Sequence, residues 1–243
     1  VEGFPITRVT VDSPEGAASL GRPEGVYLTL TLDGFLRREE NSFPRAVRAL
    51  AGLLAPLLPP EGDALVVGLG NRAVTPDAVG PRCADHVLVT RHLTHADPRN
   101  FGSFYPVAAL AAGVLGTTGV ESGELVQAVC EKIRPGFVIA VDALAARSVR
   151  RLCTTIQIAD TGISPGSGVG NRRFALNAET LGVPVIAVGV PTVVDGASLA
   201  RELGGRADGE LAEMLVTPKD VDTLITELAK LLGYGINAAL QRG

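Results

Sequence analysis

Phe137-Val138-Ile139-Ala140-Val141, closed by Asp142, is a run of five apolar residues leading straight into a carboxylate. A strand with one wet face alternates apolar and polar residues, so an unbroken apolar run belongs to a strand covered on both faces. Ala64 to Val67 and Val183 to Val190 read the same way, and Val26 to Leu32 mixes apolar residues with Thr. Between the runs, helical periodicity predicts helices over Phe43 to Leu58, Cys83 to Leu93, Glu121 to Ile133 and Val221 to Leu240. Alternating strands and helices predict an α/β fold: a three-layer αβα sandwich with a mostly parallel sheet and an edge hairpin near Val26 to Leu32. One domain over residues 1–243 is expected. Ligands of such sheets bind beyond the carboxyl ends of the strands, so chemistry is to be sought just after each apolar run.

The composition narrows the function classes. With 243 residues, 46% of them hydrophobic and 20% charged, the chain can bury a sizeable core, and it carries no repeat or low-complexity tract. Its longest apolar stretch, Gly182 to Val194, is broken by Pro184 and Pro191 and is shorter than the ~20 residues of a membrane helix. No membrane partner is expected. A net charge of −4 with mixed signs lacks the basic stripe of a nucleic-acid binder, so a basic or weakly charged polypeptide is the expected partner. Cys83, Cys130 and Cys153 are odd in number and have no CxxC spacing, which points to neither a disulfide framework nor a thiolate metal site, and so to a reducing cytoplasm. Val1 opens the sequence with no Met and no signal-type segment, as a processed or trimmed chain would.

Several motifs compete for the chemistry. Gly68-Leu69-Gly70-Asn71-Arg72-Ala73 follows a strand as a dinucleotide fingerprint does. The helix start, however, is read at Thr75-Pro76-Asp77, with Thr75 as N-cap, too far on for the glycines to seat a pyrophosphate on the helix terminus. Gly162-Ile163-Ser164-Pro165-Gly166 fits G-x-S-x-G, but Pro165 has no N–H for an oxyanion hole. Asp160-Thr161-Gly162 occurs once, whereas the pepsin-like enzymes that share it are all-β and need two copies. His86, His92 and His95 lie on or near one expected helix, with no carboxylate in register to complete a metal site. A pair of carboxylates at two strand ends remains: Asp77, shortly after the Ala64 to Gly68 strand, and Asp142. An Asp at the end of an apolar strand is costly to bury without a partner.

At these residues the sequence becomes specific. Val66-Val-Gly-Leu-Gly-Asn71, Val74-Thr-Pro-Asp-Ala-Val-Gly-Pro81, Ile139-Ala-Val-Asp-Ala-Leu-Ala-Ala-Arg147 and Thr154-Thr-Ile-Gln-Ile-Ala-Asp-Thr-Gly-Ile163 resemble the spore germination protease family, in order along the chain. Pro165-Gly-Ser-Gly-Val-Gly-Asn171, the block Gly182 to Asp195 and Val216-Thr-Pro-Lys-Asp-Val-Asp222 extend the likeness. The resemblance implies an atypical aspartic endopeptidase that degrades small acid-soluble spore proteins at germination, in the cytoplasm of the spore core. It further implies a zymogen, a homo-oligomer, Asp77 and Asp142 as catalytic residues, and no cofactor.

A more distant likeness links the chain to the hydrogenase maturation endopeptidases, which use a metal. Their third ligand, a His, falls where this chain has Gly166, so water activated by the aspartate pair is expected and no metal. Metallopeptidase and inactive spore-protein-binding relative stay open as alternatives. The family propeptide and part of the mature N-terminus have no counterpart before Val1, and the connection over 201–213 is shorter than the family's. Asp77 at a helix start is expected to be the ionised member of the pair, and Asp142 at a buried strand end the neutral one. The resemblance implies cleavage next to an acidic residue. Arg147, Arg172 and Arg173 are the candidate readers of its charge, and Gly166, Ser167 and Gly168 of the glycine-rich loop are candidates to hold the substrate main chain through backbone N–H groups.

Overall fold

The computed structural model of the chain describes residues 1–164 and 174–241. Eight strands are described: β1 (Ile6–Val11), β2 (Gly25–Thr31), β3 (Ala64–Leu69), β4 (Val107–Gly113), β5 (Phe137–Ala146), β6 (Thr155–Ala159), β7 (Val185–Asp195) and β8 (Leu215–Val216). They form one sheet in the order β1-β2-β6-β7-β5-β3-β4, with β8 paired to β7. β4, β3, β5 and β7 are parallel neighbours. β6 runs against β7, β2 against β6, and β1 against β2. Most strands therefore share one direction, and the expected hairpin at the edge is β1–β2.

Alternation along the strands divides the core into two layers. Val66, Ile139, Val141, Ile186 and Val188 face the helices Ser42–Leu54, Val79–Ala84 and Val221–Leu240. Leu65, Val67, Val138 and Ala140 face the helix Ser122–Ile133 and the short helix Ala178–Leu181 on the other side. This is the three-layer αβα arrangement.

Three local expectations need correction. The apolar run does not stop the strand at Val141: β5 continues through Asp142 to Ala146, because β7 runs alongside with Gly189 opposite Asp142 and Val193 opposite Ala145. The Cys83 to Leu93 helix is two helices, Val79–Ala84 and Arg91–Ala96. Thr90 breaks it, since its hydroxyl donates to Tyr105 O (2.5 Å) and accepts from Val107 N (3.0 Å), which ties this segment to the start of β4. Thr75 is not an N-cap either: Thr75–Asp77 is a single 3-10 turn, and the Thr75 hydroxyl donates to Asp222 Oδ1 at 2.8 Å.

Candidate active site

β3 is buried along its whole length and delivers the chain to Gly70 at its carboxyl end. Here the two glycines of the fingerprint-like motif find their physical reason. A Cβ on Gly68 would run into the backbone of Gly80, so the bare glycine lets the helix Val79–Ala84 settle directly on the strand. Gly70 has φ +110°, and a Cβ there would meet the carbonyl oxygen of Asp77 and come within 2.9 Å of Asp77 Oδ1. Both glycines are needed for close backbone approach rather than for a pyrophosphate.

The loop between Gly70 and Asp77 folds back on itself. Asn71 N donates to Asp77 Oδ2 at 2.6 Å, and Asp77 N donates to Val74 O at 2.8 Å. Arg72 clamps the loop to the following helix: its guanidinium donates to both carboxylate oxygens of Asp85 (2.6 and 2.9 Å) and to Pro81 O (2.9 Å). That fork holds the Asp85 carboxyl below the usual carboxylate range.

Asp142 lies on the sheet face shared by Val138 and Ala140, one step further along β5. It is 5% exposed, and Ala143 N donates to its Oδ1 at 2.9 Å. Its cross-strand partner is Gly189, which in turn pairs with Gln157 of β6. The absent side chain at Gly189 makes room for Leu144. Beyond Leu144 the β5–β7 register shifts. Thr192, between Pro191 and Val193 at this irregularity, is 1% exposed, and its hydroxyl has no hydrogen-bond partner among the described residues.

Asp77 and Asp142 line one cleft of about 830 Å³ at the carboxyl ends of β3 and β5. Arg147 lines it too, so three of the residues singled out in the sequence are brought together. Gly166, Ser167, Gly168, Arg172 and Arg173 lie outside the described residues. Sequence reasoning missed Arg22, Tyr27, Gln157 and Thr192 in the cleft wall. Arg22 follows the helix Pro14–Leu20 and its left-handed C-cap Gly21, and its guanidinium stands 5.8 Å from the centre of the Tyr27 ring. The signal available was β6 itself: Thr155-Ile-Gln-Ile-Ala159 alternates, which puts Gln157 on the face opposite Ile156 and Ile158.

Pro165 and Gly166 of the G-x-S-x-G stretch lie outside the described residues, while Asp160, Thr161, His86 and His95 have structural roles. Asp160 Oδ1 accepts from Val26 N (2.8 Å), and the Thr161 hydroxyl donates to Tyr27 Oη (3.2 Å), so this stretch fastens β2. His95 pairs with Asp63 (3.0 Å) and His86 packs edge-on to Tyr234. Among the described residues no group of three or more His, Cys, Asp or Glu side chains is placed to hold a metal ion, and no helix is long and apolar enough to cross a membrane.

The chain is 42% identical to the germination protease of Caldanaerobacter subterraneus, over 100% of this chain and 86% of that protein. It is 40% identical to that of Clostridium perfringens, over 99% of this chain and 85% of that protein. A solved NiFe hydrogenase maturation protease from Thermococcus kodakarensis superposes with a TM-score of 0.47 at 19% identity, over 78% of this chain and 99% of that one. Residues 1–203 match the profile of the germination proteases. The chain belongs to the germination protease family and is a peptidase.

Proposed function

We propose that the chain is an endopeptidase that cuts small acid-soluble spore proteins during germination, with Asp77 and Asp142 activating water. The observation that carries this reading is that an aspartate from the turn after β3 and one from β5 line one cleft together with an arginine. In the proposed cycle Asp77, whose carboxylate receives the Asn71 N–H, takes the proton from water. Asp142, nearly buried beside an apolar core, is the neutral member and donates to the scissile carbonyl. Arg147 or the Arg172-Arg173 pair reads an acidic residue of the substrate, and backbone N–H groups of Gly166, Ser167 and Gly168 hold the main chain. A homo-oligomer made as a zymogen and acting in the spore core completes the proposal.

Hydrolysis of a purified small acid-soluble spore protein, followed by mass spectrometry with and without EDTA, tests it. Cleavage that resists EDTA and is lost in both Asp77→Asn and Asp142→Asn is the expected result. Loss of cleavage on chelation with recovery on adding zinc would establish the metallopeptidase reading instead. Binding without cleavage by the unsubstituted chain would make it an inactive relative.

A further inference from the structure

Gln157 of β6, Gly189 of β7 and Asp142 of β5 are cross-strand partners in one row, so their side-chain positions fall on one face of the sheet. Gln157 and Asp142 both line the cleft. Their Cα atoms are two strand spacings, ~10 Å, apart. The position between them has no side chain of its own. Leu144, which also lines the cleft, lies over Gly189 so closely that a Cβ there would strike its Cδ1. An apolar floor is thus bounded by a carboxyl group at one end and a carboxamide at the other.

The two ends differ in what already engages them. Asp142 Oδ1 accepts from Ala143 N, whereas the half-buried Gln157 side chain takes part in no hydrogen bond among the described residues. A carboxamide offers two N–H donors and a carbonyl oxygen, so Gln157 brings both kinds of hydrogen-bonding group to the cleft wall. Gln241 shows what the same group does beside a main chain in this molecule. From the end of the helix Val221–Leu240, its Oε1 accepts from Tyr105 N (2.9 Å) and its Nε2 donates to Tyr105 O (3.0 Å). One carboxamide thereby holds both main-chain groups of one residue. The N–H and C=O of an extended residue point the same way, as they do when two strands exchange both bonds, and so suit such a clamp.

We propose that Gln157 is a substrate-binding residue that clamps the main chain of a bound polypeptide as Gln241 clamps Tyr105, Oε1 accepting the N–H and Nε2 donating to the C=O of one extended residue. At a rise of ~3.3 Å per residue, the ~10 Å between Gln157 and Asp142 puts that residue within about three of the scissile bond. The clamp recognises peptide groups whatever side chains they carry, so it sets the position of the chain over Leu144 and is separate from whatever Arg147 reads. Only the distance to the cut rests on the peptidase reading; main-chain binding by Gln157 does not.

The clamp is tested with peptides tiling a small acid-soluble spore protein. The tightest binder to the Asp142→Asn chain is taken, with affinity read by fluorescence anisotropy so that no cutting is needed. Each of its peptide bonds in turn is replaced by an ester, which deletes one N–H and weakens one acceptor. Gln157→Leu and Gln157→Ala, each confirmed as folded by thermal melting, should bind the all-amide peptide roughly three- to tenfold more weakly, the worth of one or two hydrogen bonds. One ester should weaken binding to the chain with Gln157 by a similar factor and have no further effect in either Gln157 variant, while esters elsewhere act additively. Additive losses at every position, unchanged affinity in both variants, or no peptide bound at all overturns the clamp. Assaying the same peptides for cleavage by the chain with Asp142 intact keeps the two readings apart. Coupling without cleavage fails only the peptidase reading, and cleavage without coupling fails only the clamp.

Discussion

Asn71 donates its backbone N–H to Asp77 Oδ2 at 2.6 Å, so the loop that leaves β3 holds the carboxylate it delivers. That contact depends on the sharp path at Gly70, where φ is +110°. In Gly70→Ala a Cβ has to fit against the Asp77 carbonyl in a backbone region that L-residues avoid. Strain of this type costs about 1–3 kcal/mol. Gly70→Ala is expected to lower stability by that order and to cut peptidase activity by more than the folded fraction accounts for. Urea melts alongside assays normalised to folded protein check it, and full activity per folded molecule would mean that Asp77 needs no such placement.

Asp142→Asn keeps the shape and can still accept from Ala143 N, but it removes the titratable proton. Cleavage should fall by at least ~10³-fold, as expected for loss of a paired acid–base group. Thermal stability should be unchanged or higher. If activity disappears only because the variant melts early, Asp142 is a structural residue.

Substrate charge gives a third measurement. Arg147→Ala and Arg172→Ala/Arg173→Ala should each be assayed on matched peptides with Glu or Gln next to the cut. The arginine that reads the charge should cost roughly 1.5–3 kcal/mol in kcat/KM on the Glu peptide and far less on the Gln peptide. Equal losses on both peptides would show that these arginines do not read charge.

Asp195 at the end of β7 is the N-cap of the helix Gly196–Glu202, accepting from Ser198 N (2.7 Å) and Ser198 Oγ (2.8 Å). These bonds, led by the backbone N–H, hold its carboxyl below the usual value. A depressed carboxyl stabilises the fold above its unfolded value, near ~3.9, and that contribution is lost as pH falls through the folded value. Asp195→Ala should therefore cost about 1 kcal/mol at pH 7, and the gap from the unsubstituted chain should close in acid. Denaturant melts at pH 7 and pH 3 decide it; a gap that is as wide at pH 3 would show that the charge is irrelevant to the cap.

The parallel half of the sheet was legible because β3, β5 and β7 are buried on both faces and spell this out as apolar runs. The helix Val221–Leu240 was found to the residue, since its apolar stripe runs from end to end. β4 was missed: Val-Ala-Ala-Leu-Ala-Ala-Gly has the composition of a helix, and only its place at the sheet edge beside β3 makes it a strand. β6 alternates plainly, but its residues drew attention as a motif rather than as a strand. Asp77 and Asp142 could be picked as a pair from strand ends. That Gly189 sits opposite Asp142 could not be known without the β5–β7 register. Arg22 reaches the cleft through the β1–β2 hairpin, a long-range placement that no local pattern encodes.

The order of the strands also governs when the enzyme can exist. β2 waits for β6, which is translated more than a hundred residues later, and the cleft wall draws on residues from Arg22 to Thr217. No nascent portion that ends before β8 has the whole wall. At a synthesis rate of about 5–20 residues per second, roughly 7–28 seconds pass between the appearance of Asp77 and that of Thr217. If this cleft is where polypeptides are cut, as proposed, a chain still being made has not yet completed the wall against which a substrate would lie.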